Sequence, residues 1–376
     1  MIDSEFSCEV VRVTQVDKHP NADRLEVAHF AFVDGTVPNY QCVVGKGDYV
    51  AGDAAIYISD DSIVPLVPGP FEFLKTRIDC KPGATSYRIR AAKLRGEIST
   101  GMLIPNTEGA PLGTEMSLSL NVSKYESPAE RKEREHALYS GPKPGRFQRL
   151  MAWLVSKIYT PVKVPDYSVV SLRKAPNYFS DGEEVVYTEK IHGSNIRFGK
   201  IRSRVFIGSH HCEKTDSRTG LLRWLFPRGD KNHWHREDVW TEWFNRVFST
   251  PARLSELPNN VIFYGELFGP GIQPNFDYGH SQTTVKVFNA WDVKGKKWFS
   301  RGDMEMLLPG VCDYVFPISK SPALFDKNLL SSMTEMNSEV GAPGRSNVVR
   351  EGVVVHSLDG MKAGKLVSDR YLTAKR

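Results

Sequence analysis

The octapeptide Thr188-Glu189-Lys190-Ile191-His192-Gly193-Ser194-Asn195 holds the residues best suited to covalent chemistry. Lys190 follows the apolar run Val185-Val186-Tyr187, which predicts a strand end that half-buries it, and Gly193 stands three residues on. Desolvation and nearby positive charge lower a lysine's pKa and expose a neutral amine able to act as a nucleophile. A glycine here leaves room for a phosphate to approach, and Ser194 and Asn195 add neutral hydrogen-bonding groups. A strand-to-strand turn with a solvated lysine and a turn glycine accounts for the same residues. Neither Gly-x-x-x-x-Gly-Lys-Ser/Thr nor Gly-x-Gly-x-x-Gly occurs, so nucleotide handling would need another phosphate-binding device.

Other chemistry-bearing residues follow in order. Glu266 closes Phe263-Tyr264-Gly265-Glu266, Phe288 opens Phe288-Asn289-Ala290-Trp291-Asp292, Glu351 opens Glu351-Gly352-Val353-Val354-Val355, and Lys362-Ala363-Gly364-Lys365-Leu366-Val367-Ser368 is basic. This order resembles the covalent nucleotidyltransferases, that is RNA and DNA ligases and capping enzymes. The string around Lys190, the ending Lys365–Leu372 and the upstream Leu172-Arg173-Lys174-Ala175-Pro176 are most similar to ATP-dependent RNA ligases. Lys18–Val27 and Lys93–Gly101 resemble the OB-like domain that precedes the ligase domain in one branch of that family.

The resemblance implies three steps: the lysine takes AMP from ATP, AMP passes to a 5′-phosphate end, and a 3′-hydroxyl displaces it. Lys190 is then the nucleophile, Glu351 a ligand of Mg2+ or Mn2+, and Glu266 a contact to the ribose or to metal-bound water. Phe288 stacks on adenine, and Lys365 neutralises the α-phosphate. Glu189, Ile191, Asn195 and Arg173 become adenylate contacts by motif position. The implied partners are RNA ends held in a nicked duplex.

Two departures stand out. Relatives space the last basic pair as Lys-x-Lys, but Ala363 occupies the first position and Lys362 lies one residue earlier. Phage relatives carry an arginine about 20 residues after the nucleophile, where this chain has Gly208-Ser209-His210-His211-Cys212, making His210 the substitute. His210, His211, Cys212, His233 and His235 raise a zinc site, against which their spacing argues. Arg223, Trp224, Arg228, Lys231 and Trp234 are candidate nucleic-acid contacts.

The surrounding sequence predicts what must hold these residues. With 376 residues, the chain has room for two or three domains, and 40% hydrophobic residues excludes disorder. Residues 8–120 read as short strands between Gly, Pro, Asn and Asp turns, giving an OB-like β-barrel over 1–122. Residues 123–165 read as a charged linker with a Gly/Pro-rich stretch. Over 166–376 strands outnumber helices, with helical signals at 238–248 and 301–308, which predicts an α+β domain built on antiparallel sheets.

Charge is uneven: residues 1–125 hold 12 Lys/Arg against 16 Asp/Glu, leaving 37 against 28 for the remainder, the better partner for a polyanion. Five widely spaced cysteines read as reduced thiols, and the absence of a signal-peptide pattern predicts a cytoplasmic chain. Two alternatives stay open: a GTP-dependent RNA guanylyltransferase, and a non-catalytic tRNA- or RNA-binding protein.

Overall fold

The computed structural model describes residues 6–38, 40–77, 80–126, 164–210, 238–273, 276, 278–310, 312–319, 322–344 and 347–374. The N-terminal strands are β1 (Cys8–Lys18), β2 (Leu25–Ala31), β3 (Cys42–Gly45), β4 (Ala54–Ile58), β5 (Ser62–Pro65), β6 (Ser86–Arg88), β7 (Ala92–Leu94), β8 (Glu97–Ser99), β9 (Met102–Pro105) and β10 (Ser123–Lys124). Five of them form a sheet ordered β3-β2-β1-β4-β9, and β10-β5-β6 form another.

β1 changes partner along its length, pairing through Cys8–Arg12 with β4 and through Arg12–Lys18 with β2. Its register shifts between Val13 and Gln15. Such an irregularity bends and twists a strand, which curls the sheet toward barrel closure. Val10, Ile56 and Ile104 pack in one apolar cluster, while their neighbours Val11, Ala55 and Leu103 pack in another on the opposite face. Burial on both faces explains why these strands read as apolar runs and not as clean alternation. A curled β-barrel domain is therefore followed by a second domain built largely on antiparallel sheets, as expected.

The second part contains β11 (Val170–Ser171), β12 (Glu184–Lys190), β13 (Ser194–Ile201), β14 (Arg204–Gly208), β15 (Val261–Phe268), β16 (Thr284–Asp292), β17 (Lys297–Trp298), β18 (Asp313–Tyr314), β19 (Ala323–Leu324), β20 (Gly352–Ser357) and β21 (Ala363–Val367). They make two sheets, β11-β21-β20-β12-β19 and β14-β13-β15-β16-β17, the latter extended by β18 on β16. Pairing is antiparallel except for β11 with β21 and β18 with β16. Only residues 191–193 separate β12 in the first sheet from β13 in the second.

Helices close the outer faces. The helix Val239–Val247 starts at Asp238, whose side chain accepts from the Thr241 N–H, and buries Trp243 and Phe244 beside Phe198 and Phe263. Lys327–Thr334, which the sequence reading did not identify, is capped by Asp326 and packs Leu330 and Met333 against Val353 and Val355. The expected helix at 301–308 spans Arg301–Leu307.

The ends of the expected linker belong to the sheets. β10 pairs with β5, the Tyr125 N–H donates to the Asp61 carbonyl, and Pro165 accepts a bond from the Tyr264 hydroxyl at 2.5 Å. Its middle, residues 127–163, lies outside the described residues.

Candidate active site

A cavity of about 310 Å3 opens between the two sheets of the second domain. Register explains its first wall. Thr188 faces Val354, Val186 faces His356, and Val354 faces Lys365 on the next strand. Alternation along β12 then puts Thr188 and Lys190 on one side. Thr188, Lys190, Val354, His356 and Lys365 line the cavity.

Lys190 ends β12 opposite Gly352, which brings its Nζ to 2.7 Å from Glu351 Oε1. One neighbour of the amine is thus a carboxylate. The other carboxylate oxygen, Glu351 Oε2, is buried without a hydrogen-bond partner among the described residues and lies 3.8 Å from His192 Nδ1. His192 is held twice: Nδ1 lies 2.8 Å from the Tyr371 hydroxyl, and its backbone N–H donates to the Tyr278 hydroxyl at 2.6 Å. The sequence reading passed over both His192 and Tyr371.

The second sheet supplies the facing wall. Asn195 on β13 pairs with Glu266 on β15, and both reach the cavity. Asn195 Oδ1 is buried without a hydrogen-bond partner among the described residues. Burial pushes the Glu266 carboxyl up to about 8; Lys190 opposes that shift, Glu351 reinforces it, and the Gly193 N–H bond opposes it. The register of β15 with β16 skips one residue, Tyr264 pairing with Asn289 and Gly265 with Val287. Phe288 is the residue left over. A bulge redirects a side chain, and Phe288 lines the cavity with its ring 5.4 Å from that of Tyr167.

His356 was not identified from sequence. It is fully enclosed, lies 2.9 Å from Thr188 Oγ1 and 3.3 Å from the Tyr167 hydroxyl, and burial lowers its pKa to about 3. A neutral imidazole therefore forms part of the wall.

Four residues sit differently from what their motifs suggest. Glu189 lines the cavity, but its carboxylate faces away, accepting from the Ser338 hydroxyl and from the Glu339 N–H at 2.8 Å, with Arg350 Nε at 3.6 Å. Alternation along β12 puts it opposite Lys190. Arg173 lies outside this cavity, bonded to the Val367 carbonyl at 2.8 Å and to Asp369. Lys362 pairs with Glu183 at 2.8 Å and sits 4.7 Å from the Phe179 ring centroid, apart from the cavity that Lys365 lines. Gly193 is required for backbone packing: a Cβ there would meet Glu266 Cγ at 2.8 Å and collide with the Leu267 carbonyl.

Ile191 lines the cavity while packing with Phe268, Tyr278 and Val315. His210 also reaches the wall, where the sequence reading expected it to replace an arginine. His211, Cys212, His233, His235 and the basic aromatic stretch from Arg223 to Trp234 lie outside the described residues. Among the described residues no group of three or more His, Cys, Asp and Glu is arranged to hold a metal.

Two facing sheets thus hold a lysine, an aromatic ring and carboxylates around one cavity. A family model described as RNA ligase matches residues 183–370, and one described as an OB-fold domain matches residues 8–106. The chain belongs to the RNA ligase family.

Among solved structures, Naegleria gruberi RNA ligase with PPi is similar at TM-score 0.69 and 18% identity, with 97% of each chain covered. A mutant of that ligase with ATP and Mn gives 0.68 and 18%, covering 97% of this chain and 98% of that one. Another mutant, with AMP and Mn, gives 0.66 and 17%, with 97% of each covered. No curated protein matches the sequence. The family match is to RNA ligases, not to the guanylyltransferase or non-catalytic binding alternatives.

Proposed function

We propose that the protein is an ATP-dependent RNA ligase that seals 3′-hydroxyl and 5′-phosphate ends through a Lys190-linked AMP, acting on nicked RNA in cytoplasmic repair. The observation that carries this reading is the placement of Lys190 and Phe288 on opposite walls of one cavity, with Lys365 lining it too. An adenine on Phe288 would have its α-phosphate between the walls, within reach of Lys190 and Lys365.

In the first step Lys190 Nζ attacks the α-phosphorus, a P–N bond forms, and the bond to pyrophosphate breaks. The ammonium must first lose a proton, for which Glu351 Oε1 at 2.7 Å is the adjacent acceptor, and the second amine proton leaves to solvent as the P–N bond forms. Lys365 offsets charge on the phosphoryl oxygens as they approach the transition state. Adenylyl transfer to the 5′-phosphate and displacement of AMP by the 3′-hydroxyl follow in the same cavity.

The donors fit a hard divalent cation. Glu351 Oε2 is a buried oxygen unsatisfied among the described residues, and Mg2+ typically takes one or two protein carboxylates with substrate phosphates and water. A three-residue cluster is not needed for such binding. Mg2+ or Mn2+ held by Glu351 would supply charge neutralisation at the phosphates.

Intact-mass measurement under denaturing conditions, after incubation with ATP or GTP and Mg2+ or Mn2+, tests the reading. An AMP adduct on wild type and none on Lys190→Ala is expected. A GMP adduct, or no adduct on folded and initially unmodified protein, rejects it.

A further inference from the structure

Three consecutive residues track the strand that carries Lys365. Ser171 stands in parallel register with Lys365, and the Leu172 N–H donates to the Lys365 carbonyl at 2.9 Å. Arg173 then reaches past the end of β21 to the Val367 carbonyl at 2.8 Å and to Asp369. The fit along this track is close: a Cβ on Gly364 would meet Leu172 Cδ2 at 2.6 Å.

β21 stops at Val367, and Ser368 caps the short helix Asp369–Thr373. A strand end is normally the first part of a sheet to open. Arg173 spans that junction, binding one group on each side. Its side chain is 12% exposed, and it lines a separate cavity of about 240 Å3 that also includes His29, Tyr40 and Thr100 of the N-terminal domain. Lys174 Nζ, the next in sequence, lies 5.4 Å from the Phe32 ring centroid of that domain.

We infer that Arg173 is a positioning residue for Lys365: it clamps the end of β21, through Val367 and Asp369, and thereby holds the Lys365 ammonium in the cavity without itself touching the nucleotide. This rests on the reading that Lys365 meets the α-phosphate. A charged group displaced by about 1 Å from its working position loses on the order of a hundredfold in rate.

The test has two arms, on Arg173→Ala, Arg173→Lys and Asp369→Asn. Hydrogen exchange, read by mass spectrometry on the peptide covering residues 363–369, reports the clamp without any need for catalysis. Loss of protection in Arg173→Ala and Asp369→Asn, with partial protection in Arg173→Lys, is expected; unchanged protection overturns the inference.

The second arm follows single-turnover AMP adduct formation against ATP concentration. Arg173→Ala and Asp369→Asn should each slow the saturated rate by ten- to a hundredfold on the order-of-magnitude scale above, with KM for ATP little changed. The double variant should be no slower than the worse single one, as expected for residues acting through one contact. A raised KM with an unchanged saturated rate means that Arg173 binds ATP, and overturns the inference. Absence of an adduct in wild type rejects the ligase reading alone, leaving the exchange arm to decide the clamp. If Arg173→Ala fails to fold, Arg173→Lys and Asp369→Asn carry both comparisons.

Discussion

Lys190 Nζ and Glu351 Oε1 lie 2.7 Å apart across two neighbouring strands of one sheet, although they are distant in sequence. The contact exists because β12 and β20 pair antiparallel with Lys190 opposite Gly352. Gly352 is itself forced by packing, since a Cβ there would meet the Val367 Cα at 3.0 Å. Lys190 and its carboxylate partner are therefore set by strand register.

Lys190→Ala should abolish the AMP adduct and overall sealing, yet still join a pre-adenylylated 5′ end to a 3′-hydroxyl. The missing amine is needed only in the first step. Gel analysis of nicked RNA with and without the pre-adenylylated end makes the comparison; a folded variant unable to use the activated end argues against a lysine-linked intermediate.

Glu266 gives a pH signature. Its folded carboxyl titrates near 8 against 4.5 for the unfolded chain, so between those values the native state holds the extra proton. Stability from this group is accordingly present at low pH and lost as pH rises from about 4.5 to about 8. Glu266→Gln should melt close to wild type at pH 5 and above it at pH 9. The same Tm difference at both values would sink the assignment.

Phe288→Ala should raise the KM for ATP in adduct formation by about 5- to 150-fold, the equivalent of ~1–3 kcal/mol of base stacking. Phe288→Tyr should stay near wild type because the ring face is kept. An unchanged KM in Phe288→Ala removes the residue from the nucleotide site.

Arg350 and Glu189 make a structural prediction behind the cavity. Arg350 is fully buried, bonded to the Met333 carbonyl at 2.7 Å and to Glu339 at 2.9 Å, with Glu189 beside it. Arg350→Met strands the buried Glu189 and should cost about 3–5 kcal/mol in denaturant unfolding. Adding Glu189→Gln should recover part of that loss, since burial already favours the neutral form of Glu189. A double variant as unstable as the single one would disconnect the pair.

The fold was largely legible because β-branched runs between Gly, Pro and Asn turns mark strands wherever one or both faces are covered. The helix Val239–Val247 announced itself through its Asp238 cap and Trp243-Phe244. Lys327–Thr334 did not, since three serine and threonine residues in its eight blur the apolar stripe. At the site, Lys190, Glu351, Asn195, Glu266, Phe288 and Lys365 stand out through motif order; all but Glu351 line one cavity, and Glu351 pairs with Lys190. What sequence could not give was side-chain direction. Glu189 follows the alternation of β12 away from the cavity, Arg173 turns to a strand end, and Lys362 has a nearer carboxylate in Glu183. His356 lacked any motif signal; its parity with Val354 along β20 was the available clue.

The three residues between β12 and β13 give the cavity a spine. Its two walls belong to separate sheets, like facing pages, and Ile191, His192 and Gly193 form the short binding between them. With Gly193 pressed against β15 and His192 tethered to Tyr278 and Tyr371, this spine resists sliding while its brevity keeps Lys190 and Asn195 at nearly fixed separation. A rocking of one page against the other would thus widen the outer edge, where Phe288 and Lys365 stand, far more than the inner one. For the proposed nucleotide, the gap met on entry and the gap met beside Lys190 can differ, with one pivot governing both.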